Sequence, residues 1–566
     1  MLLILLSWIY ITLTTICFGV ATDKLLRINS KDIAVNAILG LFSVTVFASV
    51  WAVFGRIGWE FHAALLVLNM LLGYCFRSCI ADVYFSFWQQ LKTLPRSLKI
   101  ILGINSLLIV AQCASIPYVI DNESYYIQTI KWMNEYGLVK GVANLHVFLA
   151  QTSGWHITQS ALNFSFLYGS FNDISGYCLL LGNIFAITRL AGYFEGGHRH
   201  YLIIGLLPLA NVLLFQFISA PSPDMPIYVF SFIIFFYVFE RYRTMDNGTF
   251  TLIAILVLFS LYIKTTAAAM VVIPLLLFVK DFKAIQPAIL KCALAGLVVL
   301  ALFITKNTIV SGHPFFPITG YQFADNDHCL PEHISELYYS FTKLCAYFVT
   351  EKQFESMTVT QKFLQWLMLP KLHGLFNKVV TAMVVILPVI IYKYYNMREA
   401  WFLYLVMLAE LLMLALSSPQ YRFFLNFLLL FSFLITAVII TSKRVILGMM
   451  WLSVAVTSIV LFVPMDLNRF TKNKFVLESS TFSFNNVVFP YKNTKYDTEF
   501  REKVEGNLHY YAPVEMDFFW ATGDGPPPCI NEKQVKYFFK KHKVLPQLRT
   551  ENIEDGFYAE DITKYE

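Results

Sequence analysis

Two carboxylates one residue apart, Asp121 and Glu123, open the first polar stretch long enough to hold chemistry. Tyr125, Tyr126, Gln128, Lys131, Trp132, Asn144, His146, Trp155 and His156 follow. Acid, aromatic, amide and imidazole side chains crowd a segment that would need none of them as a plain connection. A carboxylate held beside an apolar wall has its pKa lifted toward the range of a general base. Aromatic faces and amides pack on C–H surfaces and pair with hydroxyls, as a sugar cleft requires. For one isolated acid the simpler reading is a marker of the water boundary, and Trp and Tyr gather at any membrane interface. Their company in one run favours chemistry, with Asp121 and Glu123 as the catalytic pair.

Other candidates lie far along the chain. Asp224 stands among Pro221, Pro223 and Pro226, which fix the backbone around it. It reads equally as a second acid facing the same cavity or as a cap for the following helix. Lys264 sits between two apolar runs, Lys306-Asn307 precedes Ser311-Gly-His-Pro-Phe-Phe-Pro, and Tyr421-Arg422 follows Ser-Ser-Pro-Gln. Each basic group stands at the end of an apolar helix. Arg offers a phosphate a bidentate fork and Lys a point charge, although a single basic residue there could simply reach for headgroups. His313 is a further phosphate donor or a turn residue. The expected substrate-binding set is Tyr125, Gln128, Asn144, His146, His156, Asp224, Lys264, Lys306, His313, Tyr421 and Arg422.

The elements that must position these groups are membrane helices. Of the 566 residues 57% are hydrophobic and only 14% charged, whereas a soluble chain carries roughly a quarter charged. A bilayer-spanning helix needs about 20 apolar residues, and such runs recur from Leu2 to Val463. The runs fall at roughly 2–20, 33–54, 61–76, 99–120, 176–192, 201–219, 226–240, 249–263, 266–280, 287–305, 376–393, 399–416, 423–441 and 445–463. They predict an all-α polytopic membrane protein of about 12 to 14 transmembrane helices. Met1 to Val20 lacks a basic start and reads as a first anchor rather than a signal peptide. Lys and Arg concentrate in alternate loops (Lys24, Arg27 and Lys31; Arg241 and Arg243; Lys443 and Arg444), which assigns those loops to the cytoplasm. The N-terminus, loops 121–175 and 306–374, and the end of the chain then lie outside, together with every candidate named above.

Residues 1–98 read as N-terminal helices, 99–464 as the core, and 465–566 as a small extracytoplasmic α+β segment. Alternation at Lys474-Phe-Val-Leu and Asn486-Val-Val-Phe suggests strands; Thr358–Leu369 and Lys533–Lys543 suggest short helices. The nine cysteines form no CxxC or zinc spacing, and a disulfide among Cys329, Cys345 and Cys529 is open. A net charge of +6 spread over short loops argues against nucleic acid. The absence of a P-loop argues against a nucleotide-driven motor.

The pattern resembles the GT-C superfamily of integral-membrane glycosyltransferases. Asp121, Glu123 and Tyr125 open the first large outer loop, and Lys264 ends a helix. Lys306-Asn307 with Ser311-Gly-His-Pro-Phe-Phe-Pro is similar to an Arg-Asn…Gly-x-Pro-x-x-Pro signature, with Lys in place of Arg, and Tyr421-Arg422-Phe423 opens a late helix. Within the superfamily the chain most resembles a group of bacterial membrane proteins sharing Asp-x-Glu-x-Tyr-x-x-Gln…Gly-x-x-Asn-Leu-His, with a Pro-Cys element like Pro528-Cys529. Three apolar helices precede the acidic loop here, where the superfamily usually has one. The resemblance implies inverting sugar transfer from a polyprenyl-phosphate donor to a glycan or lipid acceptor, in cell-surface glycan assembly. It implies Asp121 as base, no required cofactor or metal, and an inner-membrane location. The alternatives are a surface-polysaccharide polymerase or ligase, which typically uses arginines that loop 306–374 lacks, and a lipid or solute transporter, which would favour mid-membrane charges or a repeat.

Overall fold

The computed structural model describes residues 1–321, 327–471, 475 and 478–565. The protein is a bundle of apolar helices with a small mixed segment folded over one end. It is a multi-pass membrane protein: among the described residues ten helices are long and apolar enough to cross a bilayer, eleven if one bent pair is counted as a span.

Helices α1 (Leu2–Leu26) and α2 (Ile33–Phe54) form a hairpin whose backbones touch. A Cβ on Gly19 would lie 1.8 Å from the Asn36 carbonyl oxygen, and one on Gly40 would lie 1.8 Å from that of Thr15. Small residues permit this approach where apolar burial gives helices no drive to associate. Asp32 caps α2 by accepting from the Ala34 and Val35 N–H groups. Helices α3 (Trp59–Cys75) and α4 (Arg77–Thr93) meet at Phe76 with a bend of 85°. Helix α5 (Arg96–Cys113) follows.

The apolar count from sequence exceeds ten for identifiable reasons. The 61–76 run ends at the Phe76 bend and qualifies only together with α4, whereas the 99–120 run remains one span although Ser115-Ile-Pro-Tyr stops its helix at Cys113. Asp224–Arg241 carries charges at both ends, and Asn247–Ile263 has only 17 residues. The 266–280 and 287–305 runs are two arms that meet at a kink at Asp281 within Val272–Ser311 and are counted once among the ten.

Contacts define two ends. At one, the Met1 ammonium donates to Asn486 O (2.7 Å), Tyr491 N to Ala114 O (3.0 Å), and Gly141 N to Ile309 O (2.8 Å). At the other, Arg189 pairs with Asp32 (2.7 Å), Arg243 with Glu399 (3.1 Å), and Lys291 donates to Leu26 O (3.3 Å). The chain from Lys264 to Ser311 touches both. Lys264 pairs with Asp224 at the first end, Lys280 donates to Tyr242 O at the second, and Lys306 donates to Thr152 O back at the first.

The C-terminal segment contains two antiparallel hairpins rather than the strands expected near its start. Strands β1 (Phe500–Glu505) and β2 (Leu508–Pro513) pair across Gly506-Asn507, and β3 (Val544–Leu548) pairs with β4 (Phe557–Asp561). Asn486-Val-Val-Phe is not a strand: Phe484–Asn486 is a helical turn. Most of Lys474-Phe-Val-Leu lies outside the described residues. The surface helix near 358 spans Val359–Leu367 with a Thr358–Gln361 capping box, and the one near 533 spans Glu532–Tyr537. All nine cysteines are free, which corrects the open disulfide. Cys329 bonds to Gly312 O and Cys529 to Thr522 O, while Cys345 is exposed on the Glu332–Tyr347 helix.

Candidate functional site

Four charged residues from four separate elements meet at the end of the bundle covered by the C-terminal segment. Arg422 Nη1 lies 2.9 Å from Asp121 Oδ2 and 3.8 Å from Asp224 Oδ2. The Lys264 ammonium pairs with the other oxygen of Asp224. Carboxylate and cation therefore alternate in the order Asp121, Arg422, Asp224, Lys264.

Local structure explains each placement. Asp121 precedes a π-helical turn, Asn122–Tyr126, which leads into the helix Ile127–Glu135. Such turns are rare and recur at functional sites. Asp224 is the first residue of the Asp224–Arg241 helix, directly after Pro223, where the helix dipole favours an acid. Lys264 caps the C-terminus of Asn247–Ile263, where a cation is favoured. Arg422 is the second residue of Tyr421–Ile439, an end at which the dipole opposes a cation. The two carboxylates offset that opposition.

Neighbours hold the cluster in place. Arg422 Nε donates to Gln420 Oε1 (3.0 Å), and the Tyr228 hydroxyl donates to the Arg422 carbonyl (2.7 Å). The Lys264 ammonium sits 4.3 Å from the centre of the Phe423 ring, a cation–π contact. Asp224 is 4% exposed and Lys264 18%, against 26% for Asp121 and 28% for Arg422. The outer pair is thus the open one, and the inner pair anchors it.

Glu123 does not join this cluster, although the sequence set it beside Asp121 as a catalytic carboxylate. Residues two apart on a helical turn face different sides. Its carboxylate is fully buried, accepting from Thr494 Oγ1 (2.5 Å), Lys495 N (3.0 Å) and Asn122 Nδ2 (3.2 Å). Its own carbonyl accepts from Thr522 N and Gly523 N at 2.9 and 3.0 Å. Burial raises its pKa above the ordinary carboxylate value despite these donors. Gln128 donates to Gly525 O (2.8 Å), Lys131 pairs with Asp524 (2.7 Å), and Asn144 donates to His328 O (2.8 Å). These residues tie the acidic loop to the C-terminal segment and to loop 306–374.

The histidines are committed elsewhere. His146 faces Trp520 O through Nε2 (3.2 Å) and accepts from Phe148 N (3.2 Å); burial lowers its pKa to about 4. His156 packs on Tyr125 and Tyr126, with ring centres 5.8 and 4.7 Å away, and burial with nearby Lys306 lowers its pKa to about 3. Both are neutral imidazoles at physiological pH. His313 is buried against Leu330 O (2.7 Å). Lys306 donates to Thr152 O (2.5 Å) and Asn307 Oδ1 (2.8 Å). Tyr125 donates to Gln151 Oε1 (3.3 Å), and Tyr421 stacks on Phe376 with centres 4.9 Å apart.

Gln420, Tyr228 and Phe423 belong to the site and were not singled out from sequence. Tyr228 stands one helical turn after Asp224, a spacing that places both on one face. Among the described residues no three His, Cys, Asp or Glu side chains gather as a metal centre, so no metal ligands are assigned.

Residues 1–429 match the family described as Domain of unknown function (DUF8201). The matched stretch contains all four residues of the cluster and stops short of the C-terminal segment. No curated protein and no solved structure matches the chain.

Proposed function

The chain belongs to the DUF8201 family, and we propose that its four-residue cluster is the active site of a membrane glycosyltransferase. The donor is a polyprenyl-phosphate-linked sugar, and the acceptor is a hydroxyl of a glycan or lipid. The observation that carries this reading is Arg422 held between Asp121 and Asp224, with Lys264 behind it.

The arrangement suits a base and a phosphate site that exchange partners. Arg422 is paired with the Asp121 carboxylate. An arriving lipid phosphate competes for the guanidinium, which prefers a bidentate oxyanion, while Asp224 and Lys264 keep the arginine in place. Asp121 is thereby released to an acceptor hydroxyl. It takes the hydroxyl proton as the acceptor oxygen bonds to the sugar's anomeric carbon. The bond from that carbon to the phosphate oxygen breaks, and the lipid phosphate leaves with the electron pair. Arg422 and Lys264 stabilise the departing charge. Attack opposite the leaving group inverts the anomeric centre.

The site faces the outside of a cell membrane, the bacterial inner membrane, and serves cell-envelope polysaccharide assembly. Support comes from charge: Lys24, Arg27, Lys31, Arg241, Arg243, Lys443 and Arg444 all lie at helix ends or in connections at the opposite end, in keeping with the excess of basic residues on the cytoplasmic side. The Met1 ammonium donates to Asn486 O of the C-terminal segment, so the N-terminal residue and that segment lie together on the site's side.

Purified protein in liposomes with radiolabelled polyprenyl-phosphate sugar tests the reading. Release of polyprenyl phosphate, with sugar passed to an acceptor or slowly to water, is the expected result. Movement of intact lipid across the bilayer without release would instead identify a transporter.

A further inference from the structure

Loop 306–374 closes with a helix that the sugar-transfer reading does not use. Val359–Leu367 opens on the Thr358–Gln361 capping box and stands just ahead of the spanning helix Lys371–Ile390. Its residues divide by face. Helical spacing puts Gln361, Lys362 and Gln365 on one side and Val359, Phe363 and Leu364 on the other. The polar side is turned to protein: Gln365 Nε2 donates to Tyr347 O (3.1 Å), and the Lys362 ammonium sits 3.9 Å from the centre of the Phe354 ring. The apolar side is open. Val359 is 85% exposed, Phe363 47% and Leu364 50%, and Met368, directly after the helix, is 66% exposed. A contiguous apolar face of this kind marks a surface that something covers.

Depth says what covers it. The carbonyl of buried Trp366 accepts from Asn377 Nδ2 (2.8 Å), and Asn377 lies six residues beyond Lys371 in the spanning helix, about 9 Å along its axis. The Trp366 indole donates to Pro419 O (2.7 Å), and its ring centre is 6.3 Å from that of Phe424, in the first turn of the spanning helix Tyr421–Ile439. Gly374 makes the approach possible, since a Cβ there would lie 1.7 Å from the Leu369 carbonyl oxygen. The short helix is therefore level with the outermost turns of two spanning helices. Amphipathic interfacial helices bury their apolar faces to a similar depth, about 5 to 10 Å into the boundary between headgroups and acyl chains.

The same helix is tied to the ion-pair cluster. Tyr347, which Gln365 holds, ends the helix Glu332–Tyr347. Tyr338 and Cys345 of that helix stand within electrostatic reach of Asp121 and Arg422. Ser418 Oγ donates to Thr342 O (2.8 Å), which fixes its middle to the segment leading to Arg422.

We propose that Val359–Leu367 docks by its apolar face among the acyl chains of the leaflet on the site's side, and from that seat holds Glu332–Tyr347 against the cluster. Acyl chains already occupy the level at which the neighbouring spanning helices place this face, so lipid is its occupant rather than a water-soluble partner. The proposal needs the membrane architecture alone and does not depend on sugar transfer.

The test uses the full chain in phosphatidylcholine vesicles, with the photoreactive residue p-benzoylphenylalanine replacing Phe363 in one variant and Glu355, on the adjoining helix Glu351–Ser356, in another. Light should join position 363 to lipid several times more often than position 355, as read by mass spectrometry. Adducts from 363 to a second copy of the chain, or no excess of lipid adducts over 355, would overturn the proposal. Phe363→Asp with Leu364→Asp should remove the seat. Protection against hydrogen exchange in Glu332–Tyr347 should then fall several-fold while that of Lys371–Ile390 holds. Unchanged protection in Glu332–Tyr347 would overturn the link to the cluster. The benzophenone side chain at 363 keeps the aromatic character of Phe, so it reads the face even where the double variant fails to fold.

Discussion

Asp121 and Glu123 are two residues apart and do different work, and the π-helical turn between them is the cause. Asp121 turns toward Arg422 and Glu123 toward Thr494 and Lys495. Exchange of Arg422 for Lys keeps a charge but loses the planar donor set that puts Nη1 between the two carboxylates while Nε holds Gln420, and it should weaken donor binding by about tenfold or more, read as a raised KM. Asp224→Asn should act on stability as well. It removes the partner of a buried ammonium, a loss of about 3 to 5 kcal/mol, seen as a lowered Tm in detergent. Much of this cluster was legible in the sequence, because Asp121, Asp224, Lys264 and Arg422 each stand where an apolar run ends. The partnership was not. Which carboxylate meets Arg422 depends on the break after Cys113 and on the turn geometry at 122–126, which side-chain types alone do not encode.

At the scale of elements, the acidic loop is a seam as well as a site. Glu123, Gln128 and Lys131 clasp residues 494–495 and 522–525 of the C-terminal segment. Sequence reading offered Glu123 as a catalytic carboxylate, Gln128 as a substrate contact and Lys131 as a loop residue, since a buried carboxylate with a distant threonine leaves no local signature. The seam should respond to pH. Burial lifts the pKa of Glu123 above its ordinary 4.5, so the folded chain binds this proton more tightly than the unfolded one. The resulting stabilisation is complete below the unfolded value and is lost as pH rises through the folded value. Protection against hydrogen exchange at Lys495 and Gly523, taken relative to the intrinsic base-catalysed rate, should fall over that rise, and Glu123→Gln should flatten the dependence. Protection independent of pH in the unsubstituted protein would contradict the burial argument. The α1–α2 hairpin is less forgiving. Gly40→Leu would drive a side chain into the Thr15 backbone, and overpacking of this kind costs about 1 to 3 kcal/mol, measurable as a lower Tm.

Taken whole, the molecule separates its ion-pair cluster from its short basic loops. The cluster, the long loops and the C-terminal segment share one end, and the short basic loops share the other. Hydropathy made the helical membrane architecture legible. Its run count exceeds the ten long apolar helices among the described residues, because two runs that meet at a kink at Asp281 are counted once there and Asn247–Ile263 is short. Labelling of single introduced cysteines should find positions near 121 and 330 reachable from outside intact cells and positions near 243 and 282 protected. The reverse would place the site on the cytoplasmic face. The central claim is that Asp121 takes the acceptor proton, and the rate of polyprenyl phosphate release by Asp121→Asn tests it most directly. With the fold intact by thermal unfolding, the account predicts a fall of about 10² to 10⁴ relative to the unsubstituted enzyme. Release at an undiminished rate would contradict it.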